Sequence, residues 1–180
     1  MIEQKRQLRK EISQLKLSLT SYDKQKASAQ VLQSLLADKY LMESRNIVLF
    51  WSMPDEIPTP EIVECLYKTH RIFLPFIVDE DLQFRLYEGK ENMLAEQQYG
   101  ILQPTSDVFL QEGALQTAIV VPGVAFTVDG CRMGRGRGFY DRILACFPEA
   151  YKIGICYKCQ IVESLPIEPH DVMMDRVICG

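Results

Sequence analysis

Short apolar runs that alternate with helical segments constrain the fold of this chain more than any other feature. Four such runs lie at residues 46–51 (NIVLFW), 71–78 (RIFLPFIV), 117–121 (TAIVV) and 151–157 (YKIGICY). Nearly continuous apolar strands are typical of parallel sheets that helices cover on both faces. We therefore predict an α/β fold, a three-layer open sheet that is mostly parallel and carries helices on both faces. With 180 residues, of which 47% are hydrophobic, the chain is expected to form a single domain over residues 1–180.

Two amphipathic helices are expected before the first apolar run. In the first twenty residues, four apolar side chains fall within about 60° of arc at the helical period. These side chains are Leu8, Ile12, Leu15 and Leu19. A second helix is predicted from Ser21, with Ala27, Val31 and Leu35 on its inner face.

The remaining elements are predicted from shorter patterns. Thr59 followed by Pro60 is typical of an N-cap and the first residue of a helix, which is expected to run to Thr69. Residues 82–87 alternate apolar and polar side chains like a half-buried strand. The other predicted elements are a polar helix at 92–98, a helix at 139–147 and a last strand at 172–179.

Charge and composition exclude several classes of protein. Twenty Lys and Arg residues against 24 Asp and Glu residues give a net charge of −4, which argues against a protein whose whole surface binds nucleic acid. No apolar run approaches the ~20 residues that span a bilayer, and the charged N-terminus differs from a signal peptide. We expect a cytoplasmic monomer that has no nucleic-acid or membrane partner. Its cysteines are interpreted as free thiols, at Cys65, Cys131, Cys146, Cys156, Cys159 and Cys179.

A segment rich in glycine and arginine is the densest chemical signal. Residues 134–138 read Gly-Arg-Gly-Arg-Gly and directly precede the helix predicted at 139. Alternating glycines let backbone N–H groups approach an anion, and Arg135 and Arg137 add positive charge. The spacing matches neither the dinucleotide-binding pattern nor the P-loop. A flexible surface turn and an arginine-glycine RNA-binding tract are the alternative interpretations.

Two cations of the first helix flank its apolar face. At about 100° per residue, Lys5 and Arg9 lie beside the stripe that contains Leu8, whereas Arg6 and Lys10 point away from it. Lys5 and Arg9 are therefore predicted to reach a site at the edge of the core. The alternative is that their aliphatic stems only cover apolar surface.

The loop after the first apolar run combines an aromatic ring with acids. Trp51 ends the run, and Asp55 and Glu56 follow in a loop stiffened by prolines. Ligand crevices form at the carboxyl ends of strands in α/β sheets. An aromatic ring and a carboxylate suit a flat heterocycle rich in N–H groups, although a core tryptophan beside solvated acids gives the same pattern.

Acids and cysteines supply two further hypotheses. Asp141, shortly after the glycines, and Asp175 are candidates to hold a magnesium ion together with substrate phosphates, with Asp171 as the rival of Asp175. Asp141 has the alternative role of complementing a helix dipole. Cys156 and Cys159 have the spacing of a redox or zinc site, but the sequence has no second Cys-x-x-Cys pair, so they are interpreted as ordinary thiols.

In their order along the chain, these motifs closely resemble the 5-formyltetrahydrofolate cyclo-ligase family. The resemblance rests on residues 5–9 (KRQLR), 53–57 (MPDEI), 122–126 (PGVAF), 130–142 (GCRMGRGRGFYDR) and 170–175 (HDVMMD). It implies a three-layer α/β fold. It also implies ATP- and Mg²⁺-dependent conversion of 5-formyltetrahydrofolate to 5,10-methenyltetrahydrofolate, with release of ADP and phosphate.

The resemblance implies roles for individual residues as well. Trp51 and Glu56 are implied to contact the folate, Asp141 and Asp175 to hold the metal. Arg135, Arg137 and Tyr140 are implied to be catalytic. The implied ATP-binding residues are Lys5, Arg9, Gly134, Arg135, Gly136, Arg137, Gly138, Phe139, Tyr140, Asp141 and Arg142.

Three positions depart from the family pattern. Phe139 stands where the family often has tyrosine, Gln103 where it often has an acid, and Cys179 where it usually has threonine. A regulatory protein that binds nucleotide or folate without turnover is the alternative function. Because the chain keeps both Asp141 and Asp175, we favour the enzyme.

Overall fold

The computed structural model describes residues 2–96 and 100–180, with the backbone alone at Ile2. The helices are α1 (Ile2–Leu17), α2 (Ser21–Leu36), α3 (Lys39–Met42), α4 (Pro60–Tyr67) and α5 (Phe139–Ala145). The strands are β1 (Asn46–Val48), β2 (Arg71–Val78), β3 (Asp81–Leu86), β4 (Met93–Ala95), β5 (Leu102–Pro104), β6 (Thr117–Val121), β7 (Ala125–Phe126), β8 (Arg132–Met133), β9 (Tyr151–Cys156) and β10 (Arg176–Cys179).

A six-stranded sheet in the order β10-β9-β6-β1-β2-β3 forms the middle layer. Five of its strands run parallel, and β3 pairs antiparallel with β2 at one edge. This confirms the prediction of an open, mostly parallel sheet. The apolar run at 117–121 is fully buried as β6, as expected of a strand covered on both faces.

Helices cover both faces of the sheet. On one face, Val31 and Leu35 of α2 and Leu66 of α4 belong to the larger hydrophobic core, and each has no solvent exposure. On the other face, Leu144 of α5 packs with Phe147 in a second core. The three-layer arrangement with helices on both sides is therefore confirmed, and the inner face predicted for α2 is correct.

The topology places a crevice at the carboxyl ends of β1 and β6. From β1 the chain adds β2 on one side, and β6 later pairs with the other side of β1. In open α/β sheets a reversal of this kind leaves a ligand crevice outside the carboxyl ends of the strands concerned. The segments that follow β1 and β6 are residues 49–59 and 122–124, and both contain motifs singled out above.

Helix α1 lies beyond this edge of the sheet and is rotated from the predicted orientation. Ile12 is buried and shares a small core with Ala125 and Met133 of the β7-β8 hairpin. Leu15, predicted to face inward, is 51% exposed, whereas the side chain of Lys16 is 7% exposed. The buried face of α1 therefore includes Lys16, and Leu15 lies outside it.

Other departures from the predicted elements are local. Helix α4 begins at Pro60 as expected, but Thr59 makes no side-chain capping bond: its hydroxyl oxygen accepts the backbone N–H of Ser52 at 2.9 Å instead, and the hydroxyl donates to the carbonyl of Phe50. The polar helix predicted at 92–98 is wrong over 93–95, which form β4, and residues 97 and 98 lie outside the described part of the chain. The last strand is shorter than predicted.

All six cysteines are free, as predicted. In the described ranges, no helix combines the length and the apolar character needed to cross a membrane.

Candidate active site

A cavity of about 250 Å³ opens where the carboxyl ends of β1 and β6 meet. Phe50, Trp51 and Glu56 line it after β1, and Pro122 and Gly123 line it after β6. The glycine- and arginine-rich segment forms a further wall with Gly134, Arg135, Arg137, Gly138, Phe139, Tyr140 and Asp141. Three of the motifs quoted in the sequence analysis therefore border one cavity. An apolar cleft with a few convergent polar groups is the usual form of a small-molecule site.

The glycines of this wall carry backbone conformations that other residues rarely adopt. Gly136 and Gly138 have φ angles of +100° and +68°. A Cβ at Gly136 would lie 3.4 Å from the guanidinium of Arg9. Arg9 Nε in turn donates to the carbonyl of Gly134 at 3.0 Å. Helix α1 therefore packs its arginine directly against the glycine-rich loop, with Gly136 facing Arg9.

Arg135 joins the two motifs across the mouth of the cavity. Its Nη2 lies 2.7 Å from Asp55 Oδ1 and 3.1 Å from Glu56 Oε1. Burial lowers the pKa of the Arg135 guanidinium, but the two carboxylates outweigh it and raise that pKa above its ordinary value. Glu56 also accepts the backbone N–H of Met53 through Oε2, at 2.9 Å. The predicted folate loop and the predicted phosphate loop are thus in direct contact.

Arg132 is a cavity residue that the sequence analysis missed. Its side chain is 2% exposed, and its Nη2 donates to Asp141 Oδ1 at 2.6 Å. Nη1 donates to the carbonyl of Pro122 at 3.2 Å, while the buried Nε has no hydrogen-bond partner in the described chain. Its signal in the sequence was its place in the 130–142 motif, two residues before Gly134. Asp141 therefore pairs with a buried cation, in addition to standing in the first turn of α5.

Tyr140 lines the cavity with a buried phenol. Burial, and to a lesser degree the charge of Glu56, raise the pKa of its phenol above the ordinary value. The phenol therefore remains protonated at neutral pH. The guanidinium of Arg132 lies 5.7 Å from the centre of its ring.

Four cations in the first half of α1 lie on the sides of the helix that its period predicts. Lys5 Nζ lies 2.7 Å from Glu168 Oε2 and 3.4 Å from Asp171 Oδ2, and its side chain is 13% exposed. Burial opposes the charge of Lys5, but these two carboxylates outweigh it and raise its pKa. Arg6 and Lys10 are exposed. Lys5 and Arg9 face the loops beside the cavity, although neither lines the cavity itself.

Comparison with known proteins identifies the family of this chain. The profile of the 5-formyltetrahydrofolate cyclo-ligase family matches residues 1–180. This chain belongs to that family. The 5-formyltetrahydrofolate cyclo-ligase of Mus musculus is 31% identical over 97% of this chain and 92% of the relative, and that of Haemophilus influenzae is 29% identical over 99% and 98%. The solved structure of the Aquifex aeolicus 5,10-methenyltetrahydrofolate synthetase has the same fold, with a TM-score of 0.86, 24% identity and coverage of 97% of this chain and 89% of that one.

Two residues that the family resemblance assigns to the site lie elsewhere in this cyclo-ligase family member. Arg142 donates to Asp81 Oδ1 at 2.6 Å and to the carbonyl of Arg137 at 3.0 Å, so its guanidinium is directed at the turn after β2 instead of the cavity. Asp175 Oδ2 accepts the backbone N–H of Lys152 at 2.7 Å, near the start of β9. That is the amino end of the parallel strands, opposite the edge where Asp141 lies. The structure therefore does not bring Asp141 and Asp175 together as a metal site.

The cavity has a further wall, of which only Gln103 was named in the sequence analysis. Pro75 and Ile77 of β2, Leu82 of β3 and the segment 101–103 line it. Within this wall Gln103 Oε1 accepts the backbone N–H of Ile77 at 3.1 Å. The amide that replaces the usual acid of the family thus ties β5 to β2. Of the other two departures, Phe139 lines the cavity, and Cys179 is exposed at the end of β10 in register with Cys156.

The donor set of the cavity fits a magnesium ion that is held mainly by a ligand. Asp141 has one oxygen committed to Arg132, and its side chain is 17% exposed, so the second oxygen is free to face the cavity. Mg²⁺ in nucleotide sites keeps several waters and takes one or two carboxylates together with phosphate oxygens. Of the two predicted metal ligands, Asp141 lines the cavity and Asp175 does not.

Proposed function

We propose that this chain catalyses the ATP- and Mg²⁺-dependent cyclisation of 5-formyltetrahydrofolate to 5,10-methenyltetrahydrofolate, with ADP and phosphate as the other products. Membership of the cyclo-ligase family supports the reaction type. The observation that carries the proposal is that Arg135 joins the Trp51–Glu56 loop to the glycine-rich loop at one cavity. A flat heterocycle and a polyphosphate would meet at this point.

The chemistry requires a poor leaving group to be activated. The formamide oxygen of the substrate attacks the γ-phosphorus of ATP, the bond between that phosphorus and the β–γ bridging oxygen breaks, and ADP leaves. N10 of the folate then attacks the formyl carbon of this phosphorylated intermediate. Loss of the N10 proton and departure of inorganic phosphate, which carries the former formyl oxygen, complete the methenyl product.

The protein is proposed to act by positioning and by electrostatic stabilisation. Phosphoryl transfer depends mainly on cations that surround the transferred group. Arg135 and Arg137 line the cavity where that group would lie, with Lys5 and Arg9 behind the loop. The protonated phenol of Tyr140 supplies a hydrogen bond to developing negative charge.

The remaining groups are assigned by the same reasoning. Trp51 offers an aromatic face and Glu56 a carboxylate to the N–H groups of a pterin ring. Asp141 would hold Mg²⁺, which when bound to ATP neutralises phosphate charge. No covalent protein nucleophile is required. We further propose that the chain acts as a cytoplasmic monomer without a nucleic-acid or membrane partner.

A product assay tests this proposal. Purified protein is mixed with ATP, MgCl₂ and 5-formyltetrahydrofolate, and methenyl product is followed by its absorbance while ADP is quantified. One ADP for each methenyl product is expected, with no ADP formed when folate is omitted. Binding of either ligand without product would contradict the enzyme and support a regulatory protein.

A further inference from the structure

Lys16 is a buried cation whose position no sequence motif indicated. It lies near the end of α1 with 7% of its side chain exposed. Its Nζ donates to Asp55 Oδ2 at 2.6 Å. A lysine amine is costly to remove from water, so this one is retained beside a carboxylate partner. The pair stands next to the mouth of the cavity, since Asp55 also contacts Arg135.

Asp55 and Glu56, the two acids of the loop after β1, each use one carboxylate oxygen for Arg135 and the other for a second donor. Asp55 gives Oδ2 to Lys16 and Oδ1 to Arg135, at 2.6 and 2.7 Å. Glu56 gives Oε2 to the backbone N–H of Met53 and Oε1 to Arg135, at 2.9 and 3.1 Å. Each carboxylate is therefore held from behind and presents its other oxygen to the guanidinium. The orientation of Arg135 depends on both anchors.

We propose that Lys16 and Asp55 are positioning residues that hold Arg135 in place for ATP. This inference rests on the proposed function, because it assigns Arg135 to the phosphates of ATP. Lys16 does not touch the cavity and acts through Asp55.

The charges around Arg135 explain why an anchor cation is needed. Lys16 and Arg135 balance Asp55 and Glu56, so the four side chains together carry no net charge. Burial opposes ionisation of Asp55, but hydrogen bonds from Lys16 and Arg135 outweigh it and hold its pKa below the ordinary value. Without Lys16, the full charge of Asp55 would fall on Arg135 and compete with a bound phosphate. The carboxylate would also be free to rotate away from its present orientation.

A double-mutant cycle on ATP binding tests the proposal. The variants are Lys16→Met, Arg135→Gln and the double variant, and the dissociation constant of ATP is measured by titration calorimetry without folate. Lys16→Met is expected to weaken ATP binding by about three- to tenfold in the wild-type background. In the Arg135→Gln background the same change should alter it by less than about 1.5-fold, because the residue through which Lys16 acts has gone.

Matched control variants distinguish a role of Lys16 in positioning Arg135 from a role in the stability of the fold. Lys10→Met removes an exposed lysine of the same helix and should leave ATP binding unchanged. Lys16→Arg should restore most of the affinity lost in Lys16→Met. Melting temperatures are measured for all variants, because a purely structural ion pair would shift them without any coupling in the ATP constants.

The outcomes distinguish this inference from the proposed function. Equal weakening by Lys16→Met in both backgrounds would overturn the positioning role. A wild-type protein that binds ATP but forms no methenyl product would contradict the proposed function and leave the cycle to decide the role of Lys16. A wild-type protein that does not bind ATP would overturn both.

Discussion

Substitutions in the ion pair between Arg132 and Asp141 should change the free energy of unfolding and the turnover number in different ways. Removing both partners should cost less stability than the two single changes together, whereas turnover should stay low in every variant. Asp141→Asn removes the charge opposite a guanidinium that is 2% exposed, at a contact of 2.6 Å. Asparagine keeps an oxygen that can accept the bond but leaves the buried guanidinium without a counter-charge, and we expect a loss of about 1.5–3 kcal/mol of unfolding free energy, the value of a hydrogen bond to a charged group. For a chain of this size, each kcal/mol lowers the melting temperature by about 2–4 °C, which gives a decrease of about 3–12 °C.

The companion changes are Arg132→Met and the double variant Asp141→Asn, Arg132→Met. Arg132→Met alone leaves the carboxylate unpaired and also loses the bond to the carbonyl of Pro122. In the double variant no charge is left without its partner, so the combined loss should be smaller than the sum of the single losses by at least ~1 kcal/mol. Turnover should be severely reduced in all three.

Urea unfolding followed by circular dichroism measures these free energies, with a second signal from Trp51, the one tryptophan of the chain. Turnover is measured on the same preparations at a temperature where every variant is folded. Additive losses in the double variant, or a single Asp141→Asn variant with wild-type stability, would refute the buried ion pair. Wild-type turnover in a folded Asp141→Asn variant would refute the assignment of Asp141 to the metal.

Three further predictions follow from other contacts. Lys5→Ala and Arg9→Ala should each raise the KM for ATP by about tenfold or more, the value of a charged hydrogen bond, whereas Arg6→Ala and Lys10→Ala should change it by less than about twofold; equal effects would indicate a diffuse basic field. Changing both Cys156 and Cys159 to Ser should keep kcat/KM within a few fold, and stoichiometric zinc lost together with activity would contradict this. Burial opposes ionisation of Asp38, but hydrogen bonds from the Leu41 N–H, Arg176 and Tyr151 outweigh it and lower its pKa. Its contribution to stability is complete above about pH 3.9 and is lost as the pH falls below that value, so wild type should lose more stability between pH 4 and pH 2 than Asp38→Asn does; parallel acid curves would show that this carboxylate is not stabilised by the fold.

The sheet and its layers could be predicted because strands that are buried on both faces appear in the sequence as nearly continuous apolar runs. A strand such as 117–121 is buried at every position and apolar at four of its five, and the helices between such strands are amphipathic. The inner face of α1 was predicted less well. Its apolar pattern favours Leu15, but the face that is buried lies on the side of Lys5 and Arg9. At the helical period Lys16 falls on that same side, where it pairs with Asp55, 39 residues away.

The site was predictable to the extent that its residues form a dense local motif. The glycine-arginine segment and the Trp51–Glu56 loop were found from their own composition, and the switch of strand order after β1 brings them to one cavity. Arg132 was missed because one buried arginine carries no periodic signal. The apolar wall from β2 and β3 was missed because residues such as Ile77 and Leu82 look the same in a core and in a ligand pocket. The pairing of Asp141 with Asp175 is not observed, since Asp175 is bound to the backbone of β9.

The transfer of the formyl oxygen to phosphate is the most direct test of the proposed reaction. 5-Formyltetrahydrofolate labelled with ¹⁸O in the formyl group is converted with unlabelled ATP, and the released inorganic phosphate is analysed by mass spectrometry. We predict one ¹⁸O atom in each phosphate, because the formyl oxygen attacks the γ-phosphorus and leaves with it. Unlabelled phosphate formed together with methenyl product would contradict the phosphorylated intermediate.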